Sequence, residues 1–325
     1  ILVDNNTQKH CLPIVMGLMP HPENVSHMSI PAGEAYKSIT SCERLWEELS
    51  EKGADRNSLL INLGGGVICD LGGFVASTFK RGIRFINIPT TLLSQVDAAI
   101  GGKVGVDLAV IKNQIGLFAH PLGIYINLSF LDTLDEREKR SGFAEMIKIA
   151  LIADKALWED FIRIGYPASL TDANLISRVI NIKENITESD LYERGPRKTL
   201  NYGHTTGHAL ESWFLSPERE RILHGEAVAA GMLIESWLSA RLGGLSDHEF
   251  SEIDQFLCDI FPMIQLTDID LKGIINGMVH DKKNRMGRNN FTLLEGIGHA
   301  ITDNFPGPEL IQESLEWYQK LGSGG

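Results

Sequence analysis

The sequence predicts an α/β domain on a Rossmann-like parallel sheet over residues 1–128, followed by a mostly α-helical domain over residues 129–325. Three observations carry this. Short apolar runs at 1–4, 28–30, 59–63, 85–88 and 124–127 alternate with helical patterns at 41–52 and 72–79. Strands that alternate with helices argue for a parallel sheet covered by helices. The run at 59–63 also passes directly into a glycine-rich turn that leads into a helix, and beyond Leu131 the strand signals thin out in favour of long helical periodicities.

Each element has its own warrant. The runs Ile1-Leu2-Val3, Leu60-Ile61 and Phe85-Ile86 are apolar and partly β-branched, which suits a strand buried on both faces. In the segment 41–52, Cys42, Leu45, Trp46 and Leu49 recur at helical spacing. The later helices at 136–152, 175–187 and 227–242 follow the same rule, as Leu175, Ile176, Val179, Ile182 and Ile186 illustrate. One short strand-like piece at 291–294 interrupts them.

Composition narrows the function classes. With 325 residues, 43% apolar and 22% charged, the chain reads as globular. Its net charge of −12 argues against nucleic-acid binding, so clustered cations point to a local anionic ligand. The four cysteines show no CxxC pairing and read as free thiols of a reducing cytoplasm. No apolar run is long enough to span a bilayer. The chain opens on Ile1 without Met, which predicts that the natural N-terminus lies upstream, and the closing Gly322-Ser323-Gly324-Gly325 reads as a flexible tail.

Leu63-Gly64-Gly65-Gly66-Val67 leads through Asp70 to Gly72-Gly73. Glycines after a strand let backbone amides approach a pyrophosphate, which a helix N-terminus favours. The run is neither a GxGxxG fingerprint nor a Walker loop, and Asp70 reads either as a cofactor contact or as a helix cap. A second glycine-rich stretch, Gln95 to Lys103, follows Pro89-Thr90-Thr91-Leu92-Leu93 and sets Asp97 and Lys103 beside flexible backbone. Lys112-Asn113 and Lys80-Arg81 add polar and cationic groups, and together they predict an anion pocket.

The densest chemistry lies in Asn201-Tyr202-Gly203-His204-Thr205-Thr206-Gly207-His208, with His224-Gly225-Glu226 after it and Glu145 and Lys148 upstream. Imidazoles with a carboxylate suit Zn²⁺, and three protein donors leave one position open for substrate. His204 and His208, four apart, would share one helical face. Gly203 and Gly207 weaken a helix there, so His204 at a loop-to-helix junction with His224 from the next helix is the rival arrangement. Spacing leaves both open.

In their order along the chain these motifs resemble the 3-dehydroquinate synthase family of sugar-phosphate cyclases, and the resemblance covers essentially the whole sequence. It implies that Glu145, His204 and His224 hold Zn²⁺, with Co²⁺ as the other candidate, and that His208 lies by the substrate phosphate. It implies further that Lys103, Asn113, Lys148, Lys183, Arg197, Asn201 and the Lys282-Lys283 pair contact substrate, with Asp97 and Glu193 as neighbouring carboxylates. Arg81 would reach the phosphate from the partner in a homodimer. NAD contacts would come from Asp4, Asn6, Glu34, Lys37, Gly65, Gly66, Val67, Asp70, Thr90, Thr91, Leu93, Asp97, Lys103, Lys112, Phe130, Thr133, Leu134 and Glu138. The segments Ser189 to Glu193 and Lys103-Val104-Gly105 depart from the family's commonest wording, while Asp190, Glu193, Arg197 and Lys103 remain.

The implied reaction converts 3-deoxy-D-arabino-heptulosonate 7-phosphate to 3-dehydroquinate and phosphate, with NAD used and regenerated. Two rivals stand beside it. Another sugar-phosphate cyclase would share the chemistry on a different substrate. A metal-dependent NAD alcohol dehydrogenase would share the two-domain plan but would have little use for so many substrate cations.

Overall fold

The computed structural model describes residues 1–108, 111–216, 218–279 and 289–323. They form two compact units, Ile1–Lys139 and Arg140–Gly325.

In the first unit, strands β1 (Leu2–Asp4), β2 (Met28–Ile30), β3 (Leu59–Gly64) and β4 (Arg84–Pro89) make one parallel sheet in the order β2-β1-β3-β4. The helices α1 (Asn5–His10), α2 (Leu12–Leu18), α3 (Ile39–Glu51) and α4 (Gly66–Thr78) connect and cover it. A core of Leu2, Ile30, Leu45, Leu60, Ile68, Leu71 and Phe85 lies on one side. Ile1, Val3, Leu12, Val15, Leu63 and Phe130 form a second core. Such two-sided burial explains why the strands read as apolar runs rather than alternations.

Helix α4 begins six residues before the expected position 72, because Gly65 in extended conformation serves as its N-cap. Its glycines permit close packing. A Cβ at Gly72 would fall 1.9 Å from Asn62 Oδ1, and one at Gly73 would fall 2.5 Å from Val104 Cγ1. Val104 belongs to an antiparallel hairpin of β5 (Lys103–Leu108) and β6 (Ile111–Phe118), for which the sequence predicts no strands. The expected strand at 124–127 is not formed. That segment touches β4 through one bridge, Asn87 to Ile124.

Asp4 closes β1 and caps α1: its Oδ1 accepts the N–H groups of Asn6 and Thr7 at 2.9 and 2.8 Å. Asp4→Ala is therefore expected to cost about 1 kcal/mol in denaturant unfolding, the usual worth of an N-cap. An unchanged midpoint would contradict this role.

Helix α5 (Glu136–Ala153) opens the helical part, followed by α6 (Lys155–Ile164), α7 (Ala173–Ser189), α8 (His204–Trp213), α9 (His224–Arg241), α10 (Asp247–Ile260), α11 (Asp268–Val279) and α12 (Pro308–Ser323). Asp154, Asp172 and Ser246 cap α6, α7 and α10 through their side chains. Phe143, Trp158 and Phe161 pack at the centre with Phe256; Trp158 and Phe256 meet edge to face at 4.9 Å. The strand-like piece near 291 is one arm of a hairpin, β7 (Phe291–Gly296) with β8 (His299–Asn304).

The four cysteines are free. Burial pushes the Cys11 thiol up to about 11 and the Cys42 thiol up to about 12, so neither is a thiolate at neutral pH. Among the described residues no helix is long and apolar enough to cross a membrane.

Candidate active site

The carboxyl ends of the four parallel strands gather most of the candidates in the first unit. Asp4 and Asn6 lie at the end of β1, and Glu34 and Lys37 follow β2. Gly65, Gly66, Val67 and Asp70 follow β3, and Thr90, Thr91 and Leu93 follow β4. In open α/β sheets ligands bind at this edge. The surroundings are tight: a Cβ at Gly65 would lie 3.0 Å from Thr91 Cγ2 and one at Gly66 3.2 Å from the Ala98 Cβ, so either would crowd its neighbour by a few tenths of an ångström.

Asp70 is not the cap of α4. It stands within the helix, and its carboxylate meets Lys37 Nζ at 2.6 Å. Lys37 is buried, donates to Asn113 Oδ1 at 2.5 Å and lies 3.8 Å from Glu34 Oε1. Burial alone would lower the Lys37 pKa, but the Asp70 and Glu34 carboxylates outweigh it and keep the ammonium charged. Asn113, at φ 49 on β6, is held by its N–H to Asp107 Oδ1 at 2.7 Å. The structure thus ties Glu34, Lys37, Asp70 and Asn113 into one cluster.

The other candidates of this unit come from further along the chain. Asp97 sits in the helical turn Ser94–Ala98, exposed Lys103 opens β5, and Lys112 lies on β6. Phe130 is buried in the second core, while Thr133 is exposed nearby, Leu134 follows it, and Glu138 lies in the first turn of α5. Arg81 is exposed at φ 70 in the turn Phe79–Arg81, where Lys80 also has φ 50. Two successive left-handed non-glycine residues mark a strained knuckle. Lys282 and Lys283 lie outside the described residues.

In the second unit three helices converge on one point. Glu145 projects from α5, and His204 and His224 are the first residues of α8 and α9; their ligand atoms all lie within 4.8 Å of one another. Each imidazole Nε2 faces Glu145 Oε1, at 3.6 Å from His204 and 3.5 Å from His224. His208 lies one turn along α8, its ring 5.1 Å from that of His204 and 6.0 Å from that of His224. Of the two arrangements open in the sequence, the loop-to-helix junction is the one that forms: Gly203 at φ 77 precedes α8, and His224 begins the next helix.

The convergence has a local cause. A Cβ at Gly231 would fall 1.9 Å from Gly203 O, and one at Gly225 would fall 2.1 Å from Ser141 O. Only glycine lets α9 cross α8 and α5 at that distance. Gly225 N–H also donates to Ser141 Oγ at 3.0 Å, one turn before Glu145 on α5. Fully buried Glu235 on α9 accepts the N–H groups of Gly203 and Thr206 at 2.7 and 3.1 Å, which fastens the N-terminus of α8 where His204 stands.

The donor set fits a divalent cation. Both carboxylate oxygens of Glu145 are buried without a donor in hydrogen-bonding geometry, although Lys148 Nζ forms an ion pair with Oε2. His204 Nδ1 faces Tyr202 O at 3.1 Å and His224 Nδ1 faces Glu211 Oε2 at 3.2 Å. Donation from each Nδ1–H leaves the Nε2 lone pairs directed at the shared centre. Burial would raise the Glu145 pKa, but Lys148 and His224 hold its carboxyl below the usual carboxylate range. Burial would lower that of His224, but Glu145 and Glu211 push it up to about 10, and a cation binding here would displace that proton.

Among the described residues of this unit three cations are buried: Lys148 at 2%, Lys183 at 5% and Arg197 at 4% exposure. Buried cations call for anionic partners. Arg197 Nη1 donates to Leu191 O at 3.2 Å. Its loop is fastened by Asp190, which accepts the N–H groups of Arg194 and Gly195 at 3.0 and 2.6 Å. Within it Glu193, at φ 57, accepts from Asn201 Nδ2 at 2.6 Å.

The family model for the 3-dehydroquinate synthase N-terminal domain matches residues 27–141, and that for the C-terminal domain matches residues 142–284. The chain belongs to the 3-dehydroquinate synthase family. The 3-dehydroquinate synthase of Parabacteroides distasonis is 42% identical over 98% of this chain and 91% of its own. Among solved structures, the 2-epi-5-epi-valiolone synthase of Streptomyces hygroscopicus with NAD⁺ and Zn²⁺ bound superposes with a TM-score of 0.86 at 25% identity, covering 98% of this chain and 90% of that one. A 2-deoxy-scyllo-inosose synthase complexed with carbaglucose-6-phosphate, NAD⁺ and Co²⁺ gives 0.83 at 25% identity, covering 98% and 89%.

For this 3-dehydroquinate synthase family member, two carboxylates of the site were not singled out from sequence. Glu211 follows His204 and His208 at helical spacing, so the pattern His-x-x-x-His-x-x-Glu carried a readable signal. Glu235 carried one too, as a lone carboxylate inside the apolar run Met232 to Trp237.

Proposed function

We propose that the chain converts 3-deoxy-D-arabino-heptulosonate 7-phosphate to 3-dehydroquinate and phosphate, the ring-forming step of the shikimate pathway, as a carbon-oxygen lyase. The observation that carries this reading is the meeting of Glu145, His204 and His224 in a chain 42% identical to a 3-dehydroquinate synthase over nearly its whole length. NAD would supply a hydride acceptor that is regenerated within each turnover, and Zn²⁺ or Co²⁺ would supply Lewis acidity at the hydroxyl being oxidised.

The chain's own residues do the rest. Glu145, His204 and His224 would hold the ion, and three protein donors leave room for a substrate oxygen. Gly65, Gly66, Val67, Thr90, Thr91 and Leu93 at the strand ends would cradle the dinucleotide, with Asp4, Asn6, Glu34, Lys37, Asp70 and Lys112 around them. Phe130, Thr133, Leu134 and Glu138 complete the proposed NAD contacts. Lys103, Lys148, Lys183, Arg197 and the Lys282-Lys283 pair match a substrate that carries both phosphate and carboxylate, and Asn113, Asn201, Asp97 and Glu193 orient its hydroxyls. His208 would move a proton at the departing phosphate.

Oxidation of the neighbouring carbon acidifies the adjacent C–H and makes elimination of phosphate possible; the ketone would then take the hydride back, and the resulting enol pyranose would open and reclose by an internal aldol step. Net redox change is zero, which separates this reading from an alcohol dehydrogenase. In our reading the protein is a cytoplasmic homodimer in which Arg81 serves the partner's phosphate site, and it takes a sugar phosphate rather than nucleic acid.

Chelation is expected to abolish phosphate release from the substrate with catalytic NAD, and Zn²⁺ to restore it without lasting NADH absorbance. Stoichiometric NADH from a simple alcohol would make the protein a dehydrogenase, and release only from another sugar phosphate would make it a different cyclase.

A further inference from the structure

Helix α8 carries three polar groups on one face. His204, His208 and Glu211 are spaced four and three residues apart, so they stack along consecutive turns. Two of them lie around the centre formed with Glu145, and the third turns toward the ligand-bearing residue of another helix. Glu211 Oε2 lies 3.2 Å from His224 Nδ1, on the far side of the ring from the Nε2 that faces Glu145. Glu211 is itself 9% exposed.

The two imidazoles are therefore supported differently. His204 Nδ1 faces a neutral backbone carbonyl, that of Tyr202, two residues earlier in the chain. His224 Nδ1 faces a buried carboxylate on a different helix, thirteen residues away. A carboxylate acceptor fixes the tautomer more strongly than a carbonyl and makes the opposite nitrogen a better donor.

We propose that Glu211 is a positioning residue: by accepting the Nδ1–H of His224 it locks the ring so that Nε2 offers its lone pair to the cation. This rests on the reading that Glu145, His204 and His224 hold a divalent ion. No proton leaves Nδ1, and the donor group that meets at the centre is Glu145, His204 and His224. The negative charge of Glu211 adds to that of Glu145, which forms an ion pair with Lys148.

The test is the affinity of the full chain for Co²⁺ and Zn²⁺, measured by competition with a chromophoric chelator, together with the visible absorption of the Co²⁺ form. Glu211→Gln keeps an acceptor oxygen but removes the charge, and is expected to weaken binding about tenfold; Glu211→Ala removes both and is expected to approach about 100-fold, the range for outer partners of metal-bound histidine. The Co²⁺ spectrum is expected to shift in both variants, while the metal-free far-UV circular dichroism of Glu211→Gln stays that of the unsubstituted chain. The graded order is what a merely structural role would not produce. Affinities within twofold of the unsubstituted protein in both variants, or equal losses in both with an altered metal-free spectrum, would overturn the proposal. A chain that binds no metal, with His204→Ala indistinguishable from it, would overturn the metal reading as well.

Discussion

His224→Ala is expected to remove bound metal and phosphate release together, with a rate loss of at least about 10³-fold, the scale at which losing Lewis-acid stabilisation of several kcal/mol is felt. The argument rests on position. His224 Nε2 stands 3.5 Å from Glu145 Oε1 and is one of three donors drawn from three helices, so its loss leaves two donors for the ion. The substitution also leaves the Glu145 and Glu211 carboxylates without the imidazole that stands between them. Collapse of the fold is not the expected route. As the first residue of α9, His224 is partly exposed, and the start of the helix is kept by Leu223 N–H donating to Glu226 Oε2 at 2.8 Å. Metal content by elemental analysis and phosphate release on the same preparation decide it. Full occupancy with undiminished release would remove His224 from the site.

How legible this centre was in the sequence follows from which interactions are local. The parallel sheet was readable because its strands are apolar on both faces, and the turn at Gly64-Gly65-Gly66 was readable because close approach demands glycine in a recognisable place. The hairpin β5–β6 was not, since Gly105 and Gly116 face each other across it to let the two backbones meet: a Cβ on Gly105 would lie 2.6 Å from Ile115 O. Those glycines look like flexibility until the partner strand is known.

At the site, spacing allowed His204 to pair with either His208 or His224, because the choice depends on where α9 crosses α8. That crossing is set by Gly203, Gly225 and Gly231, contacts between segments up to 84 residues apart. Asp70 failed as a cap for the same kind of reason. Its partner, Lys37, comes from the loop after β2, and no local pattern announces an ion pair between a buried lysine and a half-buried carboxylate so far apart in the chain.

Gly231→Ala is the sharpest test of that crossing, and its expected effect is on folding first. The added Cβ would lie 1.9 Å from Gly203 O and 2.9 Å from both Gly203 C and Gly207 N, all backbone atoms that cannot rotate away. Overpacking against side chains usually costs about 1–3 kcal/mol; against an immobile backbone we expect more than about 3 kcal/mol, seen as a lower denaturation midpoint. To relieve the clash α8 must withdraw, and with it go the Gly203 and Thr206 N–H groups that bond the buried Glu235 carboxylate. His204 begins the helix that withdraws, so whatever folded protein remains should bind metal weakly. Gly243→Ala is the control. Its φ of +88 imposes only the strain of a left-handed alanine, about 1–2 kcal/mol, because nothing lies within 4 Å of the new carbon. A Gly231→Ala protein that unfolds at the same denaturant concentration as the unsubstituted chain, with metal affinity intact, would mean that α8 and α9 do not cross at this glycine, and the placement of His204 against Glu145 would lose its structural cause.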